Sequence, residues 1–239
     1  MSYMLKLKTY LSPDIPRELY QHIINYLDHK LNITIELITE TQNIGPDRTK
    51  KDPFSLNQVD IGHFHTQPYL WLSQKTPSPI ELLPIGPIFN DPRIQNKPVY
   101  FVDVISKDSL VNQFANIKSS MWATCNPQIQ NILTQNTNTH AIDSHILALH
   151  NKQSKIKTHA PDVKILESWG PYPMQPLVIR KGFDTYLKTD IINALKEMHQ
   201  DHQYGPKLEN YLIKSFGDLS NQDFEESRNL LKIYENLSF

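Results

Sequence analysis

The chain has 239 residues, enough for one large domain or for two lobes of about 100 to 120 residues, either of which can bury a core. Its 24 Lys and Arg are offset by 25 Asp and Glu for a net charge of −1, and the two signs are interspersed, which argues against a nucleic-acid face or a polybasic membrane patch and leaves a small-molecule partner as the default. The single cysteine, Cys125, excludes an internal disulfide and any multi-cysteine metal site, and a chain with 7 Gly and 17 Pro that contains neither GxGxxG nor GxxxxGK(S/T) lacks the common phosphate-binding loops.

Met1 to Lys8 alternates apolar and charged residues like a strand and lacks the apolar core and small-residue cleavage site of a secretory leader, so the sequence as written is expected to stay in the cytoplasm. No apolar run reaches the roughly 18 residues that span a bilayer. Leu5 to Leu11 is predicted as the first strand. Ser12-Pro13-Asp14-Ile15-Pro16 then opens a helix whose Leu19, Ile23, Ile24 and Leu27 recur at helical spacing. Ile33 to Ile38 is a β-branched strand, which makes a β-α-β opening and favours a parallel pair.

A polar stretch from Thr41 to Lys51 and a short helix from Pro53 to Asn57 lead into Val59 to Leu72. There an apolar strand containing Gly62 runs into the polar turn His63-Phe64-His65-Thr66-Gln67, and Pro68 opens an aromatic helix. Strand end, turn and helix start thus meet at one sheet edge, where open α/β sheets bind ligands. Ile80 to Phe89 reads as one strand broken by Pro84 and Pro87.

Residues 91–96 form a polar, proline-bounded linker, after which Val99 to Ile105 is a strand, Ser109 to Ile117 a short helix and Trp122 to Thr124 another strand. Cys125 to His140 is a polar run with little periodicity. Ala141 to Asp143 is a short strand before a helix from Ser144 to Asn151, and Val163 to Trp169 is a strand ending at a second proline-rich linker, 170–173. Leu177 to Arg180 returns as a strand. Helices are predicted over Thr185–Met198, Gly205–Phe216 and Asn221–Asn236, the last capped by Ser220 with Asp223. Strands alternating with helices, with two linkers around a middle segment, indicate two α/β lobes: 1–90 with 174–239, and 97–169.

His63 and His65 share a strand face, a geometry that can hold zinc or copper, but no carboxylate accompanies them at close spacing, so no metal is assigned. The preferred reading is polar residues at a cleft mouth that donate to an anion when protonated. Asp60 reads as a strand-initiating or capping residue ahead of a ligand group. Tyr69 and Trp71 cannot share a helix face, and Tyr69 is the better cleft residue with Trp71 in the core. Tyr172 reads as hinge packing. No nucleophile–base–orienter set stands at recognisable spacing, so the chain is read as non-catalytic and without a cofactor.

Several stretches resemble the phosphonate/phosphite/phosphate substrate-binding proteins of ABC transporters: Tyr10-Leu11-Ser12-Pro13, Gln58 to Gly62, Lys97 to Ile105, Ala141 to Ser144, Glu167 to Pro173, Met198 to Asp201 with Gly205 to Lys207, and Asp223 to Glu226. They cover nearly the whole chain in the right order. The resemblance implies a type II periplasmic-binding-protein fold whose lobes close over an oxyanion, a periplasmic setting, an ABC permease as partner and a monomer. Carried over by position, it implies ligand contacts from Tyr10, His63, His65, Tyr69, Tyr100, Asn126, Gln130, Asp143 and Gln175. Tyr69 and the turn before it would line the first lobe, Tyr100 would face the ligand, and Asp143 would stand where amino-phosphonate binders place a carboxylate.

Two departures bear on the ligand. Where the family has an Asp-Pro-x-Ser-x-Ser-Gly turn gripping phosphorus oxygens, this chain reads Asn126-Pro127-Gln128-Ile129-Gln130-Asn131-Ile132, and each lost hydroxyl removes a hydrogen bond worth roughly 1.5 to 3 kcal/mol. The helix, strand and ligand turn that follow in the family are replaced by a polar run, so the second lobe is expected to be truncated. Gln175 falls where amino-phosphonate binders carry a second acid, which disfavours an aminated ligand. The expected ligand is phosphate, phosphite or an unaminated phosphonate. Two alternatives stay open: an enzyme of the same fold, resembling the thiamine-pyrimidine synthases, and a leaderless homologue serving as a cytosolic sensor or having lost binding.

Overall fold

The structure is a computed structural model that describes residues 4–12, 14–106, 122–123, 139–156 and 164–237. The chain divides into two compact units, one of Met1–Asn90, Asn96–Pro98 and Pro173–Phe239 and the other of Asp91–Gln95 and Val99–Tyr172.

The first unit is built on β1 (Met4–Thr9), β2 (Thr34–Thr39), β3 (Ile61–His63), β4 (Ile80–Leu82) and, from the end of the chain, β10 (Leu177–Arg180), in the order β2-β1-β3-β10-β4. β1 is parallel to β2 and β3, while β10 is antiparallel to both β3 and β4. Leu5 and Leu7 of β1 are buried and the intervening Lys6 and Lys8 are half-exposed, as a period of two requires. Between β1 and β2 runs α1 (Arg17–Leu31), which buries Leu19, Tyr20, Ile24, Tyr26 and Leu27. It stops at Asn32, whose left-handed backbone (φ 53°) lets its N–H reach back to the Asp28 carbonyl. Helix α2 (Thr66–Ser73) is buried on all sides through Pro68, Tyr69, Leu70, Trp71 and Leu72, so Tyr69 and Trp71 are both core residues despite their different faces.

Gly62 is required by packing. A Cβ there would lie 2.6 Å from the Phe54 ring and 2.9 Å from the Phe64 ring, which close over the strand.

The second unit holds β6 (Val99–Ser106), β7 (Trp122–Ala123), β8 (Thr139–Asp143) and β9 (Lys164–Pro173) in the order β7-β8-β6-β9, together with α3 (Ser144–Ile156). β8 is antiparallel to β6 and parallel to β7. A buried carboxylate fastens this unit: Asp103 on β6 accepts from Arg93 Nη1 at 2.8 Å and from Ser168 Oγ on β9 at 2.6 Å. Arg93 belongs to a 3-10 turn, Pro92–Ile94, and also pairs with Asp91 and lies over the Phe101 ring.

Several predicted elements differ. The predicted strand over Ile80–Phe89 is two: β4 pairs with β10, while β5 (Ile85–Phe89) leaves that sheet and pairs with β11 (Ile213–Asp218). β11 occupies the second half of the helix predicted from Gly205. The helix that forms, α5 (Gly205–Asn210), stops because Leu212 turns to φ 59°, and β5 then offers the following residues a ladder. Gly217 suits that ladder, since a Cβ there would meet Ile88 Cδ1 at 2.7 Å. Pro53–Asn57 is a set of turns rather than a helix, because the Asp52 carboxylate takes the Ser55 N–H and hydroxyl and Asn57 adopts φ 53°. β9 continues through the predicted linker at 170–173. The later helices are α4 (Thr185–Glu197), whose N-cap Asp184 accepts from Leu187 N, and α6 (Glu225–Leu237) behind a 3-10 turn over Asn221–Phe224. The expected Ser220–Asp223 cap is present, with the Ser220 N–H and hydroxyl both donating to the Asp223 carboxylate. The predicted helix over 109–117 lies outside the described residues.

Candidate functional site

Because β1 and β3 run parallel and in register, Thr9 lies opposite His63 and both strands end at the same edge. The antiparallel β10 begins there, with Leu177 opposite His63. Backbone bonds tie the edge together: Tyr10 N–H donates to the His63 carbonyl, Glu40 N–H to Thr9 and His65 N–H to Ile44. Four residues singled out in the sequence, Tyr10, His63, His65 and Gln175, are thereby brought to one place.

His63 is buried, and its ring is used on both sides: Nε2 is 3.1 Å from the Gln175 backbone carbonyl and Nδ1 is 2.9 Å from the Tyr20 hydroxyl. A carbonyl can only accept, so Nε2 carries the proton and Nδ1 accepts from Tyr20. Burial, with a smaller contribution from His65, moves the His63 pKa down to about 4 against the pull of the Gln175 carbonyl. Burial alone moves His65 to about 4. Both imidazoles are therefore neutral at neutral pH, which corrects the expectation of a protonated pair. With both nitrogens engaged, His63 has no lone pair left for a metal; among the described residues no group of three or more His, Cys, Asp or Glu could hold one.

Tyr10 packs edge-on against Phe64, 5.9 Å between ring centres, beneath the Lys8 ammonium at 4.8 Å. Burial and the nearby Glu40 hold its hydroxyl above the ordinary tyrosine range. His65 stands at the N-cap of α2, whose opening N–H groups, those of Thr66 and Gln67, have no acceptor within the helix. The edge thus offers neutral donors and a helix start rather than bare cations. Beneath it, on the face covered by α1 and α4, is an apolar cavity of about 50 Å³ lined by Leu7, Leu19, Ile61, Ile191 and Leu195.

Tyr69 belongs elsewhere. Its ring is 4.9 Å from Phe224 and its hydroxyl donates to Asn221 Oδ1, so the helix that begins at the carboxyl edge delivers this phenol one turn away from it. Asp60 anchors the opposite, amino edge: its carboxylate accepts from Lys6 N–H at 2.9 Å and from Arg180 Nε at 2.8 Å. That is the strand-initiating role preferred from the sequence.

In the second unit Tyr100 stands two residues before Val102, the register partner of Asp143, and so on the same sheet face. Its ring meets His145 at 5.3 Å and Tyr172 at 6.0 Å. Asp143 is buried at the end of β8, directly before Ser144, whose hydroxyl accepts the Phe101 N–H. Asn126 and Gln130 lie outside the described residues. Sequence reasoning missed Tyr20 and His145. Tyr20 was findable, since with Ile24 and Leu27 it forms an i, i+4, i+7 stripe, and a hydroxyl in such a stripe asks for a partner.

No protein-family model and no curated protein matches the sequence. Solved structures do. A Xanthomonas citri protein bound to ATP is 12% identical with a TM-score of 0.64, covering 100% of both chains. A binding-protein component of an ABC phosphonate transporter from Pseudomonas aeruginosa is 9% identical with a TM-score of 0.70 over 98% of this chain and 87% of the other. The Prochlorococcus marinus protein PhnD1, in complex with methylphosphonate, is 12% identical with a TM-score of 0.68 over 98% and 99%. At these identities the likeness gives the fold: this chain has the type II periplasmic-binding-protein fold.

Proposed function

We propose, from that fold, that the chain is a non-catalytic binding protein for a small oxyanion, of the phosphate, phosphite or unaminated phosphonate kind, working with an ABC permease. The observation that carries the reading is the carboxyl edge of the first unit, where neutral His65 and the opening N–H groups of α2 stand beside the end of β1. Neutral hydrogen-bond donors at a helix start suit an anion that must be released again. Two of the similar structures are described as phosphonate-transport components, one of them holding methylphosphonate. The non-catalytic part rests on His63, whose two nitrogens are engaged, and on Tyr10, whose hydroxyl is held protonated. A base for proton abstraction needs a free lone pair.

The test is calorimetry against phosphate, phosphite and methylphosphonate at neutral pH. The expected result is heat with at least one of them, and an affinity lower by about tenfold in His65→Ala, the worth of one hydrogen bond. Silence with all three up to millimolar concentration would sink the reading.

A further inference from the structure

Among the described residues the sheet of the second unit ends in an edge strand. In the order β7-β8-β6-β9 the last strand has a neighbour on one side only, so a row of its backbone N–H and C=O groups faces outward. We propose that two copies of the chain pair through this edge, β9 against β9 and antiparallel, about a two-fold axis between Ile165 and Leu166. The pairing is independent of the oxyanion reading in the first unit.

The two halves of β9 differ. Its second half is closed to pairing, because Pro171 and Pro173 have no N–H to donate and Gly170 turns to φ 132°. The first half, Lys164-Ile165-Leu166-Glu167-Ser168-Trp169, holds no proline. Lys164, Ile165, Glu167 and Ser168 are all exposed there, on both faces of the sheet, and Ile165 shows 46% of its surface. A copy laid along the edge would cover part of that apolar surface.

The charges choose the occupant. Charged side chains normally protect an edge strand from its own kind, and a run of one sign would do so here. This edge carries one of each sign, placed symmetrically: with the axis between Ile165 and Leu166, Lys164 stands opposite Glu167 of the copy, and Ile165 opposite Leu166. Symmetry makes each of these pairs twice, two ionic and two apolar, all of the kind that stabilises neighbouring strands. Sliding the copy by one or two residues toward the C-terminal end sets Glu167 against Ile165 or Leu166 instead, so the charges also fix the register. Six residues a side bury less than the roughly 1,200 Å² of a standard interface, and the dimer is accordingly weak and reversible.

The experiment is sedimentation equilibrium at low ionic strength, from about 10 μM to about 1 mM protein, on the unaltered chain, on Lys164→Glu, on Glu167→Lys and on an equimolar mixture of the two variants. The unaltered chain is expected to pass from monomer to dimer across that range. Each variant sets two like-charge pairs across the axis and is expected to dimerise at least about tenfold more weakly. The mixture should regain the lost affinity, since the acidic strand of one variant then faces the basic strand of the other; a change confined to one chain would not be repaired by mixing. The proposal is overturned if the unaltered chain stays monomeric at about 1 mM, if it forms a dimer that both variants leave unchanged, or if the mixture associates no more tightly than either variant alone.

Discussion

The two edges of the first unit's sheet solve opposite problems with similar residue types. At the carboxyl edge the polar groups are buried and uncharged, each fixed by a partner from another element: His63 on β3, Tyr20 on α1 and the Gln175 carbonyl before β10. Beside β4, the outermost strand, the groups are charged and partly wet, as in Lys188 with Glu81 and Arg228 with Glu225. Buried neutral bonds are costly to leave unmade, while half-exposed ion pairs hold little energy and exchange partners readily. The carboxyl edge is therefore a stiff frame and the β4 side an adaptable one.

Acid should separate them most strongly. His63 and His65 have pKa values near 4 when folded against 6.5 when unfolded, so between those values the unfolded chain binds more protons and stability falls as pH falls. From pH 7.5 to pH 5 each histidine is expected to cost about 2 kcal/mol, read as a drop in the urea midpoint. Substituting Gln for His65 should remove about half of that slope. A flat stability between pH 7.5 and pH 5 would mean that the imidazoles are open to water and the frame is not buried. Below them in size stands Gly62→Ala, where the Phe54 and Phe64 rings must give way for a methyl at 2.6 and 2.9 Å; about 2 to 3 kcal/mol of overpacking is expected, with the ion pairs beside β4 unaffected. Tyr20→Phe leaves His63 Nδ1 without its donor and should cost about 1 to 2 kcal/mol in the same measurement.

Most of this frame is legible in the sequence because it is made by local pattern. The alternation of Leu5 to Lys8, the stripe of Leu19, Ile24 and Leu27 and the Ser220–Asp223 cap each predict what forms. What escapes is decided at long range. Nothing within Ile213 to Asp218 announces a strand; β5, more than a hundred residues earlier, supplies its ladder. Pro84 and Pro87 signal a break in Ile80 to Phe89 but not that its halves join different sheets. In the candidate site, the meeting of His63, His65 and Tyr10 follows from the parallel β-α-β opening, whereas the displacement of Tyr69 depends on Phe224 and Asn221 from the far end of the chain. The neutrality of the two histidines is likewise a property of burial, which spacing does not reveal.

The smallest effect is expected at the ion pairs of Glu81. Glu81 has its pKa lowered by hydrogen bonds from Lys181 and, after a smaller opposing cost of burial, from Lys188. Its carboxylate thus favours the folded state above its ordinary value of 4.5, and that contribution fades as acid protonates it. The pairs are solvent-screened, with Lys181 65% and Glu81 35% exposed, so Glu81→Gln should cost under about 1 kcal/mol at pH 7 and less in high salt. Lys188→Gln should cost less still, because Lys181 remains on the acid. Urea midpoints of both variants and of the double variant, at low and high salt, measure this directly. A cost equal to that of Tyr20→Phe, insensitive to salt, would make the β4 side a second rigid frame, whose charges are locked to one another.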